Sequence, residues 1–325
     1  MADYTIKNEP EDFIVKEKNT VKPANSLKKG SAGNYSYYAL KKRDFTTMRV
    51  LQRIAEFLKI PLKDIGFAGT KDKRAITEQI ISIRDARGDA ESRLKSFDSK
   101  DIELKFIGKG DSPISLGDLD GNEFEIIVRD AENDPKKIRK FINYFGEQRF
   151  SSNNAEGGRA IIKADFKRAS ELIEDPLVKD FLDKNPGNHV GAIKTLPKKI
   201  LTLYIHAYQS FIWNRTAEMF IKKYMKGKGM SKIKNFKVPV VGFGTELKND
   251  GLGKIVKLIL KEEKVSERDF ILRQMPDLSQ EGTERYLLCE VKGLKIKKLN
   301  SKTYKLNFFL PKGCYATELI RQMFG

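Results

Sequence analysis

The stretch from Gly66 to Gln79 reads GFAGTKDKRAITEQ, and it joins a turn to a strand that we expect from Ala75 to Ile83. Asp72 lies on the glycine-bearing turn, where we expect its carboxylate to be exposed. Three cations flank it in the sequence: Lys71, Lys73 and Arg74. Since nearby positive charge favours the ionised, nucleophilic carboxylate, Asp72 is a candidate catalytic residue. The alternative is an ordinary turn aspartate that bonds its own backbone.

The segments around this stretch predict an α+β protein. Apolar spacing indicates a helix from Thr47 to Lys59, capped by Thr46 or Thr47, and alternation indicates strands at 102–107 and 124–129. Asp134-Pro135 is typical of a helix start, and that helix should end near Gly146.

The second half of the chain changes from strand patterns to helical patterns and back. Helical spacing is predicted at 165–183, 200–224 and 253–264, and strands at 286–291 and 304–310. The small polar run 151–158 is a plausible boundary. We therefore predict a discontinuous domain of residues 1–154 and 280–325, interrupted by a mainly helical insertion of residues 155–279.

The charge of the chain indicates a polyanionic partner. Lys and Arg total 62 against 44 Asp and Glu, a formal charge of +18. Between residues 191 and 240 the only acid is Glu218 among many lysines, and residues 291–312 carry lysines and no acid. Concentrated positive charge is what a phosphate-binding face needs. A merely solvated basic surface is the alternative.

Several classes of site find no support in the sequence. The two cysteines and two histidines lack CxxC and HxxxH spacing, so we expect no metal. The phosphate-loop pattern fails because Gly69 is followed by Thr70 and not by Lys. No signal core follows Met1, and no apolar run reaches the ~18 residues of a membrane span, so we expect a cytoplasmic protein without a membrane partner. We expect it to be a monomer.

Two further clusters carry polar and aromatic residues together. Asn143 to Phe150 reads NYFGEQRF, in which aromatic rings alternate with groups that can bond a nucleobase. The alternative is a helix end that packs its rings into the core. Tyr204 to Asn214 is helical, and its apolar residues are expected to be buried.

Together, these segments resemble the TruD family of tRNA pseudouridine synthases, and its archaeal-type members in particular. The matching segments, in chain order, are Lys7 to Glu17 (KNEPEDFIVKE), Phe67 to Gln79, Gly117 to Phe124 (GDLDGNEF), Asn143 to Phe150, Tyr204 to Asn214, and Leu310 to Arg321. The departures from the family pattern are Ser151 for Gly, Gln322 for Glu, and Glu284-Arg285 for a basic pair. None of them affects the expected nucleophile, but they leave the RNA contacts open.

The resemblance implies a fold, a reaction and a set of residues. The fold would be the pseudouridine synthase catalytic fold, a central mixed and largely antiparallel sheet flanked by helices, with an inserted TRUD domain as one wall of an RNA cleft. The reaction would convert uridine to pseudouridine in tRNA, by default at position 13 of the D arm, without cofactor or metal. The family also admits other structured RNA.

The residues implied by the resemblance fall into two groups. The catalytic group has Asp72 as nucleophile, with these partners: Lys7, Phe13, Asn143 and Phe145. The expected RNA contacts, chosen for their charge, are Lys71, Lys73, Arg74, Arg149, Lys222, Lys223 and Lys226. Two alternatives stay open: an RNA-binding or chaperone protein of the same fold without catalysis, and a nucleotide-dependent RNA enzyme that uses the Gly66–Lys71 loop.

Overall fold

The computed structural model describes residues 4–19, 33–85, 87–150, 153–225 and 233–325. The strands within these ranges are β1 (Phe13–Lys18), β2 (Tyr35–Arg43), β3 (Ile65–Phe67), β4 (Ile76–Arg84), β5 (Ile102–Gly110), β6 (Gly121–Val128), β7 (Lys140–Ile142), β8 (Lys237–Val240), β9 (Thr283–Tyr286), β10 (Leu288–Glu290), β11 (Lys292–Asn300) and β12 (Thr303–Pro311). The α-helices are α1 (Thr47–Leu58), α2 (Ala90–Leu94), α3 (Asn154–Ile162), α4 (Phe166–Leu172), α5 (Pro176–Lys184), α6 (His189–Lys194), α7 (Lys198–Tyr224), α8 (Gly251–Glu263) and α9 (Ala316–Phe324).

The chain divides into two compact units. Unit 1 is discontinuous, Met1–Arg139 with Glu290–Gly325, and unit 2 is the insertion Lys140–Cys289. This insertion is wider than the predicted range of 155–279. Its two ends pair with each other: β7 lies beside β10, and the Asn143 amide donates to the Leu287 carbonyl at 2.8 Å. Because of these bonds, the residues on both sides of the predicted range belong to the insertion.

Unit 1 is built on one sheet, as the α+β prediction requires. The strand order among the described residues is β11-β12-β6-β1-β4-β2-β5, and β3 also pairs with β4. The β1–β4 pair is parallel, and the other pairs of this sheet are antiparallel. The expected mixed, largely antiparallel sheet is confirmed.

The two faces of this sheet have different chemistry. The inner face carries rings and aliphatic groups, such as Phe124, which stacks on Phe308 at 5.3 Å between ring centres. The outer face carries ion pairs between neighbouring strands, which are Lys16–Glu78 at 3.6 Å, Lys18–Glu123 at 3.0 Å, Lys41–Glu103 at 3.5 Å and Lys305–Glu125 at 2.6 Å. Since side chains alternate along a strand, one position decides whether a lysine is exposed or buried.

Helix α1 covers the β2–β4 part of the sheet. Thr46 caps it by accepting a hydrogen bond from the Arg49 amide at 3.3 Å, and it ends at Lys59, which is left-handed with φ 53°. Its buried residues, Val50, Leu51 and Ile54, pack with the inner face. The helix predicted from the spacing is therefore confirmed.

The helix predicted to run from Asp134-Pro135 to near Gly146 is wrong. Residues 140–142 form strand β7, and the preceding segment is irregular. Its backbone groups are satisfied by distant residues: the Lys136 amide donates to the Met323 carbonyl at 2.8 Å, and the Arg139 carbonyl accepts from Val291 at 2.9 Å. Such tertiary bonds override a local capping signal.

Unit 2 is mainly helical. Its core surrounds the long helix α7, whose residues Leu201, Ile205 and Ile212 are buried with apolar residues of α3 and α8. The helical pattern at 165–183 is divided by Asp175, which caps α5 and precedes Pro176. Among the described residues, no helix combines the length and the apolar character that crossing a membrane requires.

Candidate active site

Asp72 lies on the loop that joins β3 to β4, and hydrogen bonds from neighbouring elements fix this loop. The Lys71 amide donates to Thr47 Oγ1 at 2.9 Å, at the start of α1. Gln79 on β4 donates to the Gly69 carbonyl at 3.0 Å and accepts from Thr47 at 3.1 Å. Both Thr47 and Gln79 are buried, so the loop is attached to the core through a polar network.

The Asp72 carboxylate forms an ion pair with Lys7. Lys7 Nζ lies 2.6 Å from Oδ2, and the side chain of Asp72 is 42% exposed against 15% for Lys7. Within the described part of the chain, Oδ1 accepts no hydrogen bond. The carboxylate thus has one oxygen held by a cation and a second one available to a ligand.

Lys7 is held in place by its backbone and by Phe13. Its φ of 59° is left-handed, which is uncommon for a residue with a side chain. Its ammonium lies 4.2 Å from the centre of the Phe13 ring. Phe13 is 3% exposed and packs edge-on against Phe124. The buried ring of Phe13 therefore packs against the Lys7 ammonium.

A second ammonium, that of Lys42, contacts the same aspartate from within the protein. Lys42 on β2 is 1% exposed, and its Nζ donates to the main-chain carbonyl of Asp72 at 2.8 Å. Burial lowers the pKa of Lys42 to about 8, although the negative charge of Asp72 opposes that shift. Lys42 could not be singled out in the sequence, because it lies in the basic run Lys41-Lys42-Arg43 and resembles its neighbours.

Lys71, which we expected to contact RNA, has a different environment. Its ammonium forms an ion pair with Glu17 on β1, and the side chains are 7% and 0% exposed. Burial raises the pKa of Glu17, and the charge of Lys71 opposes this shift. A charge that is buried and paired is not presented to a phosphate, so the expectation that Lys71 contacts RNA is not supported.

Lys73 and Arg74 remain on the surface beside Asp72. Arg74 donates to the Asn8 carbonyl at 3.1 Å and keeps an exposed side chain. Lys73 is exposed and lines a surface cleft together with Arg43, Asp44, Phe45, Thr46, Arg49 and Asp101. Arg43 is paired with Glu11, which leaves Lys73 and Arg49 as the cations of this cleft without an ion pair among the described residues.

In unit 2, Asn143 is buried, and both hydrogen-bonding groups of its side-chain amide are engaged. Its Oδ1 accepts from Arg285 Nη2 at 2.7 Å, and its Nδ2 donates to the Tyr286 carbonyl at 3.3 Å. Arg285 also donates through Nε to the Asn143 carbonyl at 2.8 Å. Within this unit, Asn143 thus fixes the position of a guanidinium group.

Phe145 is 9% exposed and lies in an aromatic and cationic cluster. Its amide and carbonyl bond the Asn214 side chain at 2.8 and 3.0 Å, and its ring lies edge-on to Trp213 at 5.6 Å. The guanidinium carbons of Arg285 and Arg149 are 4.2 and 5.0 Å from the ring centre. The expected role of Tyr204–Asn214 as a core helix is thus incomplete, because Asn214 also holds the Phe145 backbone.

Two of the remaining predicted RNA contacts, Lys222 and Lys223, lie at the end of α7. Lys222 and Lys223 are exposed in its last turn, where positive charge also favours the helix dipole. Lys226 lies outside the described residues. Across the described ranges, no group of three or more His, Cys, Asp or Glu side chains has the arrangement that holds a metal ion.

Known proteins are similar to this chain over almost its whole length. The family model described as tRNA pseudouridine synthase D (TruD) matches residues 2–179, 173–232 and 221–323. A tRNA pseudouridine synthase D of Aquifex aeolicus is 30% identical, with 99% of this chain and 98% of that protein covered. A probable tRNA pseudouridine synthase D of Thermococcus sibiricus is 32% identical, with 98% and 94% covered. The crystal structure of a Methanosarcina mazei protein, described as a tRNA pseudouridine synthase D, is similar with a TM-score of 0.72 and 27% identity, covering 100% of this chain and 94% of that one.

Proposed function

The chain belongs to the TruD family of tRNA pseudouridine synthases and isomerises uridine in tRNA, and we propose that Asp72 is the nucleophile of this reaction. The observation that supports this proposal is the Lys7–Asp72 ion pair on an exposed, firmly attached loop. It holds the carboxylate at one oxygen and leaves Oδ1 to a substrate. A turn aspartate that only bonded its own backbone would not need this cation.

In this reaction a carbon–carbon bond between uracil and ribose replaces the original carbon–nitrogen bond. The bond from N1 of uracil to C1′ of ribose breaks, C5 bonds to C1′ instead, and the proton of C5 is exchanged for one at N1. A nucleotide within folded tRNA must be extruded before this can happen. An ionised Asp72 can then attack the ribose or the uracil ring, and both routes use Oδ1.

Lys7 and Phe13 serve the carboxylate in this proposal. Lys7 supplies a positive charge beside Asp72 and stabilises negative charge during the reaction. Phe13 lies under the Lys7 ammonium and keeps it at the carboxylate, a role that agrees with its 3% exposure better than stacking on uracil does.

The proposed roles of Asn143 and Phe145 rest on the family resemblance together with the geometry of unit 2. We propose that Phe145 stacks on the extruded uracil, since its ring is already held by Trp213 and Arg285. Asn143 positions Arg285, because both hydrogen-bonding groups of its side chain amide are engaged within unit 2.

The proposed RNA contacts are the predicted cations that are exposed or that lie beside the aromatic and cationic cluster around Phe145. Lys73, Arg74, Arg149, Lys222 and Lys223 form this set, and Lys226 is retained from the sequence alone. The proposed target is position 13 of the tRNA D arm, which rests on the family resemblance.

The substitution Asp72→Asn tests the nucleophile, because it keeps the size of the side chain and removes its charge. We expect no tritium release from tRNA that contains 5-tritiated uridine, with tRNA binding in a gel shift unchanged. Asp111→Asn is the matched control, since Asp111 is also an exposed loop aspartate of unit 1. Normal turnover by Asp72→Asn would refute the assignment.

A tRNA transcript with cytidine at position 13 tests the target in the same assay. We expect the wild-type protein to release no tritium from it. Retained release would assign another uridine. If the wild-type protein binds tRNA and releases no tritium from any transcript, the alternative of a non-catalytic RNA-binding protein of this fold is the correct one.

A further inference from the structure

We propose that Lys42 is a positioning residue of the active site, which holds the Asp72 peptide from inside unit 1 and keeps the carboxylate in its reactive orientation. This inference rests on the proposed role of Asp72 as nucleophile. It concerns a residue that the family resemblance did not point to and that touches the nucleophile through the main chain.

The position of Lys42 in β2 determines that it is buried. Its neighbours Lys41 and Arg43 lie on the outer face, where they form ion pairs with Glu103 and Glu11. Lys42 lies on the opposite face, in register with Thr77 on β4 and Ile102 on β5. The alternation of side chains along β2 therefore places Lys42 beside the loop that carries Asp72.

The residues that pack against the Lys42 ammonium on the neighbouring strands do not balance its positive charge. The flanking strands contribute Thr77 and Ile102, neither of which carries a charge. The charged groups that act on it are Asp72 and Lys71 on the loop and Asp44 after β2. Its one hydrogen bond among the described residues goes to the Asp72 carbonyl.

A buried ammonium with one neutral acceptor is costly to the fold. An apolar side chain of similar length would fill the same space without that cost. The benefit therefore lies in what the ammonium holds, which is the peptide that follows the nucleophile.

Lys42 and Lys7 together fix Asp72 at two points. Lys7 binds Oδ2 and Lys42 binds the main-chain oxygen, at 2.6 and 2.8 Å. With the carbonyl fixed, rotation about the Asp72 backbone is restricted, and Oδ1 keeps one direction. Such orientation matters because a displacement of the reacting group by about 1 Å can reduce the rate about 100-fold.

Three variants test this role in single-turnover assays with tritiated tRNA. Lys42→Met removes the donor and the charge, Lys42→Arg keeps both, and Lys41→Met is the matched control on the outer face. We expect Lys42→Met to lose about 100-fold in rate, with the tRNA concentration for half-maximal rate changed little, since Lys42 is buried and is not itself a proposed RNA contact. We expect Lys41→Met to react at the wild-type rate.

The pH profile between 6.5 and 9 separates positioning from a merely structural role. The pKa of Lys42 is lowered to about 8, so the wild-type rate should fall above that pH as the ammonium loses its proton. The guanidinium introduced by Lys42→Arg would stay charged throughout this range, so this variant should keep its rate to pH 9 whatever its absolute activity. This comparison does not depend on Lys42→Met folding.

The outcomes separate this inference from the proposed nucleophile. If Asp72→Asn is inactive while Lys42→Met reacts within threefold of wild type, the role of Lys42 is overturned and that of Asp72 stands. If the rates of the wild type and of Lys42→Arg fell in the same way above pH 8, the role of Lys42 would also be overturned. If Asp72→Asn is active, the proposed nucleophile fails, and the inference about Lys42 fails with it.

Discussion

The Lys7 ammonium lies 2.6 Å from Oδ2 of Asp72, although 65 positions separate the two residues in the chain. A loop before β1 thus supplies the cation for a carboxylate before β4, and the parallel β1–β4 pair brings these two loops to the same end of the sheet. The arrangement follows from the topology of unit 1, because the starts of parallel neighbouring strands meet at one edge.

Substitution of Lys7 by Met should reduce catalysis and leave tRNA binding nearly unchanged. Without the cation, charge that develops near Asp72 loses its stabilisation, and we expect kcat to fall about 100- to 1,000-fold. Lys16→Met is the control, since Lys16 pairs with Glu78 on the outer face of the same sheet. The measurement is tritium release at saturating tRNA, and a kcat near that of the control would contradict the role of Lys7.

Lys42 should make the stability of the protein depend on pH in a defined direction. Its pKa is about 8 in the folded protein against 10.5 ordinarily, so between these values the unfolded chain holds a proton that the folded protein has released. Stability should therefore rise with pH through this window, relative to a variant without the ammonium.

The comparison is urea unfolding of the wild type and Lys42→Met at pH 7 and pH 10. At pH 7 the folded wild type carries the buried charge, and Lys42→Met should be more stable by on the order of 1–3 kcal/mol. At pH 10 the difference should shrink. A difference that is equal at both pH values would show that the folded-state pKa of Lys42 is not lowered.

Replacement of Phe145 by Leu tests stacking separately from packing. Leucine keeps an apolar side chain against Trp213 but offers no ring face to uracil. We expect a small change in melting temperature and a single-turnover rate lower by about 10-fold or more, since stacking contributes roughly 1–3 kcal/mol per base.

Phe141→Leu provides the reference for pure packing, because Phe141 is fully buried. It should melt at a lower temperature and react normally where it is folded. If Phe145→Leu behaves in the same way, Phe145 is a core residue and the proposed stacking role is refuted.

The salt dependence of tRNA binding tests the proposed phosphate contacts one at a time. Each neutralised phosphate contributes about 0.7–0.9 to the slope of log K against log salt concentration. Lys73→Gln and Lys222→Gln should each flatten this slope by about that amount. Lys41→Gln should not, because Lys41 is already paired with Glu103. Equal slopes for the wild type and all three variants would show that these lysines are only solvated.

The sequence allowed β4 and α1 to be predicted because their signals are local. The β-branched alternation of β4 and the apolar spacing after Thr46 depend on few neighbours, and both elements lie where the patterns placed them. The segment after Asp134 carries an equally good helix signal. It failed because Met323 and Val291, far along the chain, bind its backbone.

The same limit applies to the candidate site. Lys71 and Lys73 are equivalent in the sequence, yet Lys71 is buried against Glu17 while Lys73 is exposed. Lys42 differs from Lys41 only by the alternation of a strand. The buried positions of Lys42 and Lys71 each depend on a partner 30 or more positions away, which no local pattern contains.

The discontinuity of unit 1 has a consequence for how the protein is synthesised. Strands β11 and β12 complete the sheet that begins with β1, and Phe308 of β12 stacks on Phe124 of β6. The whole insertion is synthesised before these strands. Unit 2 therefore has its full sequence while the sheet of unit 1 still lacks the strands at one edge. The nascent chain therefore completes this sheet only after β11 and β12 have been made, and products truncated before these strands should lack a complete sheet.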